Sequence, residues 1–406
     1  MTAPHPASGE ASRILLGLGG TVDYEVTWDA DALAAAAQAH GITPADLEVE
    51  GPIVGEREFV VSILRYLRAG AGGERFVESA SAIAALAERF EVVATLGGTS
   101  VRAALAMARI GVPSTLHLVS IDDHVRRGLP ASIAYLCSAT QDSLHPHLIV
   151  QFPRGARIVT DALDVVAPQA NRLIYVNDPD NRDLRLSPDL PAAIARADVV
   201  LLSSFNAMLD EGLLTARLDA VEGMVEAAGP GRLTVYEDAC YHRDHFAHVV
   251  RARMAGLVDV FSLSEEELTF HLGEELDLLD VDAVLEAVQR FSAMVPAPIV
   301  VLHSKMWALA WGAGAAGYRK ALRSGVSLAS ARYVHGDALT REDYESMRAT
   351  PAPEGLEPFA TTLAGRADER GVELVCVPVP ALQVERPTTV GLGDTFIGGF
   401  LAAVRR

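Results

Sequence analysis

The sequence predicts a three-layer α/β/α core on a mainly parallel sheet, with a small discontinuous α+β lid domain. Three observations carry this expectation. Short apolar runs alternate with helix-like stretches along most of the chain. The runs are rich in Val, Leu and Ile and end at Gly, Pro, Ser or Asp, as strands buried on both faces do. Two regions break the rhythm, as an inserted second domain does.

In chain order, "RILLGLG" (13–19) is the first core strand. Residues 20–58 hold an acidic helix and a Gly/Pro-rich return, "VEGPIVGE", and go to the lid. "EVVATLGG" (91–98) reads as a core strand. The helix "SVRAALAMARIG" (100–111) follows, with Ser100 as N-cap and Gly111 as C-cap. "STLHLVS" (114–120) is the next strand. Residues 145–181 contain "HLIVQF", "ARIVTD" and "RLIYVNDP", three strand-like pieces with no helix between them, and join the lid. "ADVVLLSSF" (197–205), "RLTVYED" (232–238), "LVDVFSL" (257–263), "PIVVLHS" (298–304) and "VELVCVP" (372–378) complete the sheet, with a loop and a helix over 350–370. The core is thus expected over 1–19, 59–144 and 182–406, and the lid over 20–58 and 145–181. Covering a cleft is the natural use of such an insertion.

The chain has 406 residues, half of them hydrophobic, enough to bury a large core. A formal net charge of −19 argues against nucleic acid or anionic membranes as partners. A local basic pocket for a phosphorylated ligand stays open. Cys137, Cys240 and Cys376 are far apart and odd in number, which suits a reducing compartment and neither a disulfide framework nor a zinc site. The first ten residues show no signal peptide, and no apolar run reaches bilayer length. The expectation is a cytoplasmic, monomeric protein acting on small molecules.

Near the C-terminus, "TTVGLGDTFIGGF" (388–400) reads as a glycine turn feeding a helix. N–H groups at a helix N-terminus lack intrahelical partners and attract anions, and glycines let a phosphate approach. Asp394 would repel that phosphate unless it has a role of its own. Taking a proton from an attacking hydroxyl is one such role, and capping the helix is the other.

Further segments resemble one family, the ADP-dependent sugar kinases (glucokinases and phosphofructokinases) of the ribokinase-like superfamily. "PTTVGLGDTF" resembles its C-terminal motif, "AGAGGERF" (69–76) a Gly/Ala-rich segment ending in Glu, and "LGGTSVRAALA" (96–106) its Gly-Gly substrate-side turn. "APQANRLIYVNDPDN" (167–181) resembles its Asn-Arg strand start, and "LSEEEL" (263–268) stands where the family has Asn-x-x-Glu. Their order along the chain also agrees.

The resemblance implies a ribokinase-like core, ADP as phosphoryl donor and Mg²⁺ as cofactor. Asp394 becomes the general base, and the N–H groups around Gly391, Leu392 and Gly393 the anion hole. Asp23, Glu74, Gly97 and Gly98 would bind the sugar. Asn171, Arg172, Thr389 and Val390 would bind nucleotide, Arg172 through a bidentate phosphate contact. Glu237 and Glu267 are the metal-side carboxylates, with Asp238 as an alternative ligand. Ser264 replaces the Asn of Asn-x-x-Glu, and Val235 replaces the His of a His-x-Glu motif. The loop "VPVPALQVERP" (377–387) resembles one that encloses adenine. His303 and Lys305 are weaker nucleotide-side candidates; the histidines of 241–248 read as helix surface and Trp307 and Trp311 as core. Glu74 favours glucose, because a buried carboxylate repels a phosphorylated ligand. Arg102, Arg126 and Arg127 favour a sugar phosphate such as fructose 6-phosphate. An ATP-dependent sugar or nucleoside kinase of the same superfamily and a catalytically weakened binding homologue stay open beside the main reading.

Overall fold

The computed structural model describes residues 13–384 and 388–404. Its main body is a nine-stranded sheet. From one edge the strands are Leu374–Pro378, Trp307–Trp311, Ile299–His303, Val260–Ser264, Leu233–Glu237, Val199–Leu202, Ile14–Leu16, Ser114–Leu118 and Ile133–Cys137. Every pairing is parallel except those of Trp307–Trp311, which runs against both neighbours.

The two-residue period of a strand explains the unbroken apolar runs. Val300 and Leu302 face one helical layer, while Ile299 and Val301 face the other. Helices Glu211–Ala227, Asp244–Ala255, Val281–Met294 and Leu356–Glu369 cover the first face, and Thr99–Arg109, Arg319–His335 and Leu392–Ala403 the second. Each fully buried Leu, Ile or Val contributes about 1.5–3 kcal/mol of transfer free energy. The expected three-layer core is what forms. Trp307 is fully buried in it, its indole N–H donating to the carbonyl of Leu278 at 2.7 Å.

A second sheet has five strands, in the order Gly73–Phe76, Asn171–Val176, His147–Phe152, Thr21–Val26, Val92–Gly97. Helices Ala30–Ala39, Glu56–Ala69 and Ala80–Ala87 cover one face, around Phe59, Ile63, Leu148, Val150, Leu173 and Tyr175. This corrects the expected boundary. Residues 59–97, expected in the core, belong to the small sheet and its helices. "EVVATLGG" has the composition of a buried parallel strand, yet it is an edge strand paired antiparallel with Thr21–Val26, and Val93 is 55% exposed. A short apolar run does not record which strand it will pair with. Within 145–181, Arg157–Val159 and Asp164–Val166 form a separate two-stranded ribbon.

A smaller correction concerns the helix after that strand. It begins at Thr99 with Gly98 as N-cap, slightly earlier than expected. Ser100 is fully buried and lies 3.2 Å from the hydroxyl of Ser203 instead of capping. Among the described residues no helix is long and apolar enough to cross a membrane.

Candidate active site

The glycine turn behaves as its composition requires. Gly391 sits at φ +70°, a left-handed conformation that favours glycine, and is the N-cap of helix Leu392–Ala403. Its carbonyl accepts from both the backbone N–H and the hydroxyl of Thr395, which sets the first helical turn. The amides of Leu392 and Gly393 therefore point out of the helix start, where an anion is attracted. Upstream, the buried Arg332 donates through Nε to the carbonyl of Val390 at 3.0 Å and fixes the approach to the turn. Val390 is buried and Thr389 exposed. Asp394 stands in the first turn, half-buried, close enough for its charge to act on Arg102.

The residues expected to bind the acceptor gather at the uncovered face of the small sheet. Strand register places Asp23, Glu25, His147, Ile149, Gln151, Arg172, Ile174 and Glu74 on that face, because their neighbours in sequence fill the helix-covered core. Asp23 lies inside strand Thr21–Val26 of the second sheet. It is 4% exposed and accepts from Thr21 Oγ1 and Arg102 Nη2, both at 2.7 Å. Gly97 lies against it, so closely that a Cβ there would stand 2.1 Å from Asp23 Oδ2. Gly98 follows as the helix N-cap.

Glu74 reaches toward the large domain, where His242 Nε2 is 3.2 Å away. Burial works against its charge, but the hydrogen bond and charge of His242, with His147 beyond, hold its carboxyl below the usual range. His147 itself is half-buried with Asp178 at 3.4 Å; desolvation disfavours its cation, yet Asp178, Asp23 and Glu74 raise its pKa. A cavity of about 440 Å³ is lined here by Glu74, Arg75, Phe76, Tyr241, His242 and Arg243, among others.

Of the expected metal-side residues, Glu237 ends a core strand, and Glu267 lies in the first turn of helix Glu265–Leu272, which follows the adjacent strand. Glu237 is 4% exposed, and its Oε1 is 2.8 Å from His303 Nε2. Its Oε2 is buried with no partner among the described residues, as is the hydroxyl of Ser262, its register partner on the next strand. An orphaned buried carboxylate oxygen fits a cation or the water bound to one. Glu267 also serves the fold. Its Oε2 accepts from the Ser264 N–H at 2.6 Å, and Ser264 Oγ accepts from the Glu267 N–H. This reciprocal box explains how Ser264 serves at the helix start in place of Asn. Burial, then the charge of Asp238, pushes the Glu267 pKa up to about 7. Both oxygens of Asp238 already have a hydrogen-bond partner, Tyr236 Oη at 2.9 Å and His271 Nε2 at 2.7 Å. Among the described residues, no three His, Cys, Asp or Glu side chains converge as a metal cage. Mg²⁺ that keeps its waters needs only one or two carboxylates.

Other expected residues divide. Asn171 bonds the carbonyl of Gly70 and the N–H of Arg172, so it braces the strand start. Arg126 and Arg127 do not join the site: Arg126 pairs with Asp142 and Asp123, and Arg127 with the carbonyl of Asp123, on the surface. Lys305 is exposed and gives its backbone N–H to Glu265. His303 is the nearer of the two, its ring packed on Phe396 and its Cε1 3.3 Å from where a Cβ on Gly393 would lie. In the 377–387 loop, residues 385–387 lie outside the described residues, as does Pro387 of the C-terminal motif. His147 is not singled out by the sequence, and His242, expected on a helix surface, lies before helix Asp244–Ala255 against Glu74. The strict alternation of "TVDYEV" with the His-x-Ile-x-Gln face of "HLIVQF" was the signal for His147; His242 has none, because Glu74 meets it across domains.

The conserved region of the ADP-specific phosphofructokinase/glucokinase family matches residues 12–310. The chain belongs to that family. The match includes the expected sugar, Asn-Arg and metal-side residues; the 391–394 turn lies beyond it. Among solved structures, a hypothetical ADP-dependent phosphofructokinase from Pyrococcus horikoshii OT3 superposes with TM-score 0.76 at 15% identity, covering 97% of this chain and 98% of that one. The last common ancestor of ADP-dependent phosphofructokinases from Methanosarcinales gives 0.73 at 14%, covering 98% and 94%. An ADP-dependent kinase complex with fructose-6-phosphate and ADPβS gives 0.70 at 14%, covering 96% and 93%. At such identities the likeness shows the fold alone. No curated protein matches in sequence.

Proposed function

We propose that this member of the family transfers the β-phosphoryl group of ADP to the 6-hydroxyl of glucose or the 1-hydroxyl of fructose 6-phosphate, with Asp394 as general base. One observation carries the reading. The helix start at Gly391–Asp394 and the acceptor carboxylate Asp23, from two different sheets, meet across a single buried side chain, Arg102. Such a meeting supports a reading in which a nucleophilic hydroxyl, its base and a phosphate-binding turn share one cleft.

Asp23 and Glu74 would accept hydrogen bonds from sugar hydroxyls, and the backbone of Gly97 and Gly98 would close on the ring. Asp394 would take the hydroxyl proton as the oxygen attacks phosphorus. The amides of Leu392 and Gly393 would donate to the phosphoryl oxygens as charge moves onto them. Arg172, with Asn171 bracing it, and the Thr389–Val390 segment would hold the nucleotide. Glu237 and Glu267 are the residues that would hold Mg²⁺, largely through water; it supplies charge neutralisation on the phosphates.

Glucose is the acceptor favoured by Glu74, whose ionised form His242 maintains. Arg126 and Arg127 do not argue for a sugar phosphate from where they lie. The test is an activity matrix of ADP and ATP against glucose, fructose 6-phosphate and other sugars, with Mg²⁺ present. ADP-dependent phosphorylation of glucose supports the reading. Turnover with ATP alone overturns the donor, and no phosphorylation of any sugar overturns the activity.

A further inference from the structure

We propose that Arg102 is a further catalytic residue, one that grips the phosphoryl group in flight. Its side chain is 4% exposed in helix Thr99–Arg109. Nη2 donates to Asp23 Oδ2 at 2.7 Å, with Glu25 Oε1 3.8 Å away. Nε and Nη1 find no acceptor among the described residues. They lie beside the turn: a Cβ on Gly391 would stand 3.3 Å from Nη1 and 3.4 Å from Nε.

Neither nitrogen is among the fully buried unpartnered side-chain atoms, so these donors stay accessible to a ligand that enters the cleft. Nη1 faces the start of helix Leu392–Ala403, where the anion-binding amides are. Nη2 holds the carboxylate assigned to the acceptor. An anion between acceptor and turn therefore meets a charged N–H donor held in place on Nη1. Asp23 orients the guanidinium and offsets the charge that burial would otherwise leave alone.

The inference rests on the kinase reading above. In the transfer, the acceptor oxygen bonds to the β-phosphorus as the bond from that phosphorus to the bridging oxygen breaks. The electron pair leaves with AMP, and the hydroxyl proton goes to Asp394. Arg102 donates hydrogen bonds to the non-bridging oxygens and transfers no proton. A phosphate already on the acceptor has the same chemistry, so the experiment must separate the two.

Arg102→Gln and Arg102→Lys are assayed with ADP, Mg²⁺ and both a neutral sugar and a sugar phosphate. Binding of AMP with fluoroaluminate, a mimic of the phosphoryl group in transit, is measured by calorimetry. Arg102→Gln is expected to lower kcat by about 10³-fold for either acceptor, with KM changed less than about threefold. Its AMP–fluoroaluminate affinity falls in parallel, while AMP alone binds as in wild type. Arg102→Lys keeps a cation beside Asp23 without the second donor that Nη1 holds toward the turn, so it holds the wild-type melting temperature and still loses kcat; it carries the test if the Gln variant fails to fold. Wild-type kcat and fluoroaluminate affinity in the variants overturn the assignment. A loss confined to KM for the phosphorylated acceptor also overturns it, in favour of an acceptor-phosphate contact. A wild-type protein that neither phosphorylates a sugar nor binds AMP–fluoroaluminate overturns the kinase reading itself.

Discussion

The two sheets present their functional residues in opposite ways. The large sheet is covered on both faces, so its strands leave chemistry only to their ends and to the helices beyond: Glu237, His303 and the turn before Leu392–Ala403. The small sheet is covered on one face, so every second residue of a strand is available, and Asp23, Glu25, His147 and Glu74 share one surface. Residues at strand ends sit at the edge of the packing. Residues on an open face are built into the middle of a strand, and their charges must be matched by partners such as Arg102 and His242. Function and stability should therefore be separable on the first side and joined on the second.

The strongest way to break this contrast is Asp394→Asn. On the large-sheet side it should lower kcat by about 10³-fold, within the range for a positioned base, and leave thermal unfolding unchanged. A comparable loss of stability would show that Asp394 is a capping residue first. Asp23→Ala on the small-sheet side should lose activity and stability together. It strands the buried Arg102, at a cost of about 3–5 kcal/mol in urea unfolding. A variant as stable as wild type would mean that the open face carries no such liability.

Glu267→Gln sharpens the comparison at the point where one residue does both jobs. The Glu267 pKa is raised from 4.5 to about 7 in the folded protein, so the unfolded chain releases its proton first as pH rises. Its contribution is fully present below about pH 4.5 and is lost as pH passes about 7. Metal-free Glu267→Gln, which can still accept from the Ser264 N–H, should gain on the order of 1–3 kcal/mol over wild type at pH 8 and little at pH 4.5. Denaturant unfolding at the two pH values checks the sign. Arg126→Ala is the smallest change. Its partners are on the surface, and KM for a sugar phosphate should stay within about twofold of wild type.

Legibility in the sequence follows the same division. Seven of the large-sheet strands can be read from apolar runs such as "PIVVLHS", because burial on both faces demands them. "TVDYEV" alternates polar and apolar residues and falls in a region expected to hold an acidic helix, although its alternation is what an open-faced strand requires. The Gly391 turn is legible because helix starts and left-handed glycines are local matters. The place of Glu267 in a helix start is legible for the same reason.

By itself, the sequence determined the layered core, the glycine turn with Asp394 on its helix, and membership of the family. These depend on local backbone geometry and on patterns of burial with periods of two or about four residues. Only the tertiary structure decided that 59–97 joins the small sheet, that His242 meets Glu74, and that Arg102 stands between Asp23 and Gly391. Each of these joins residues far apart in the chain, where pairing is set by how whole surfaces pack and leaves no local trace.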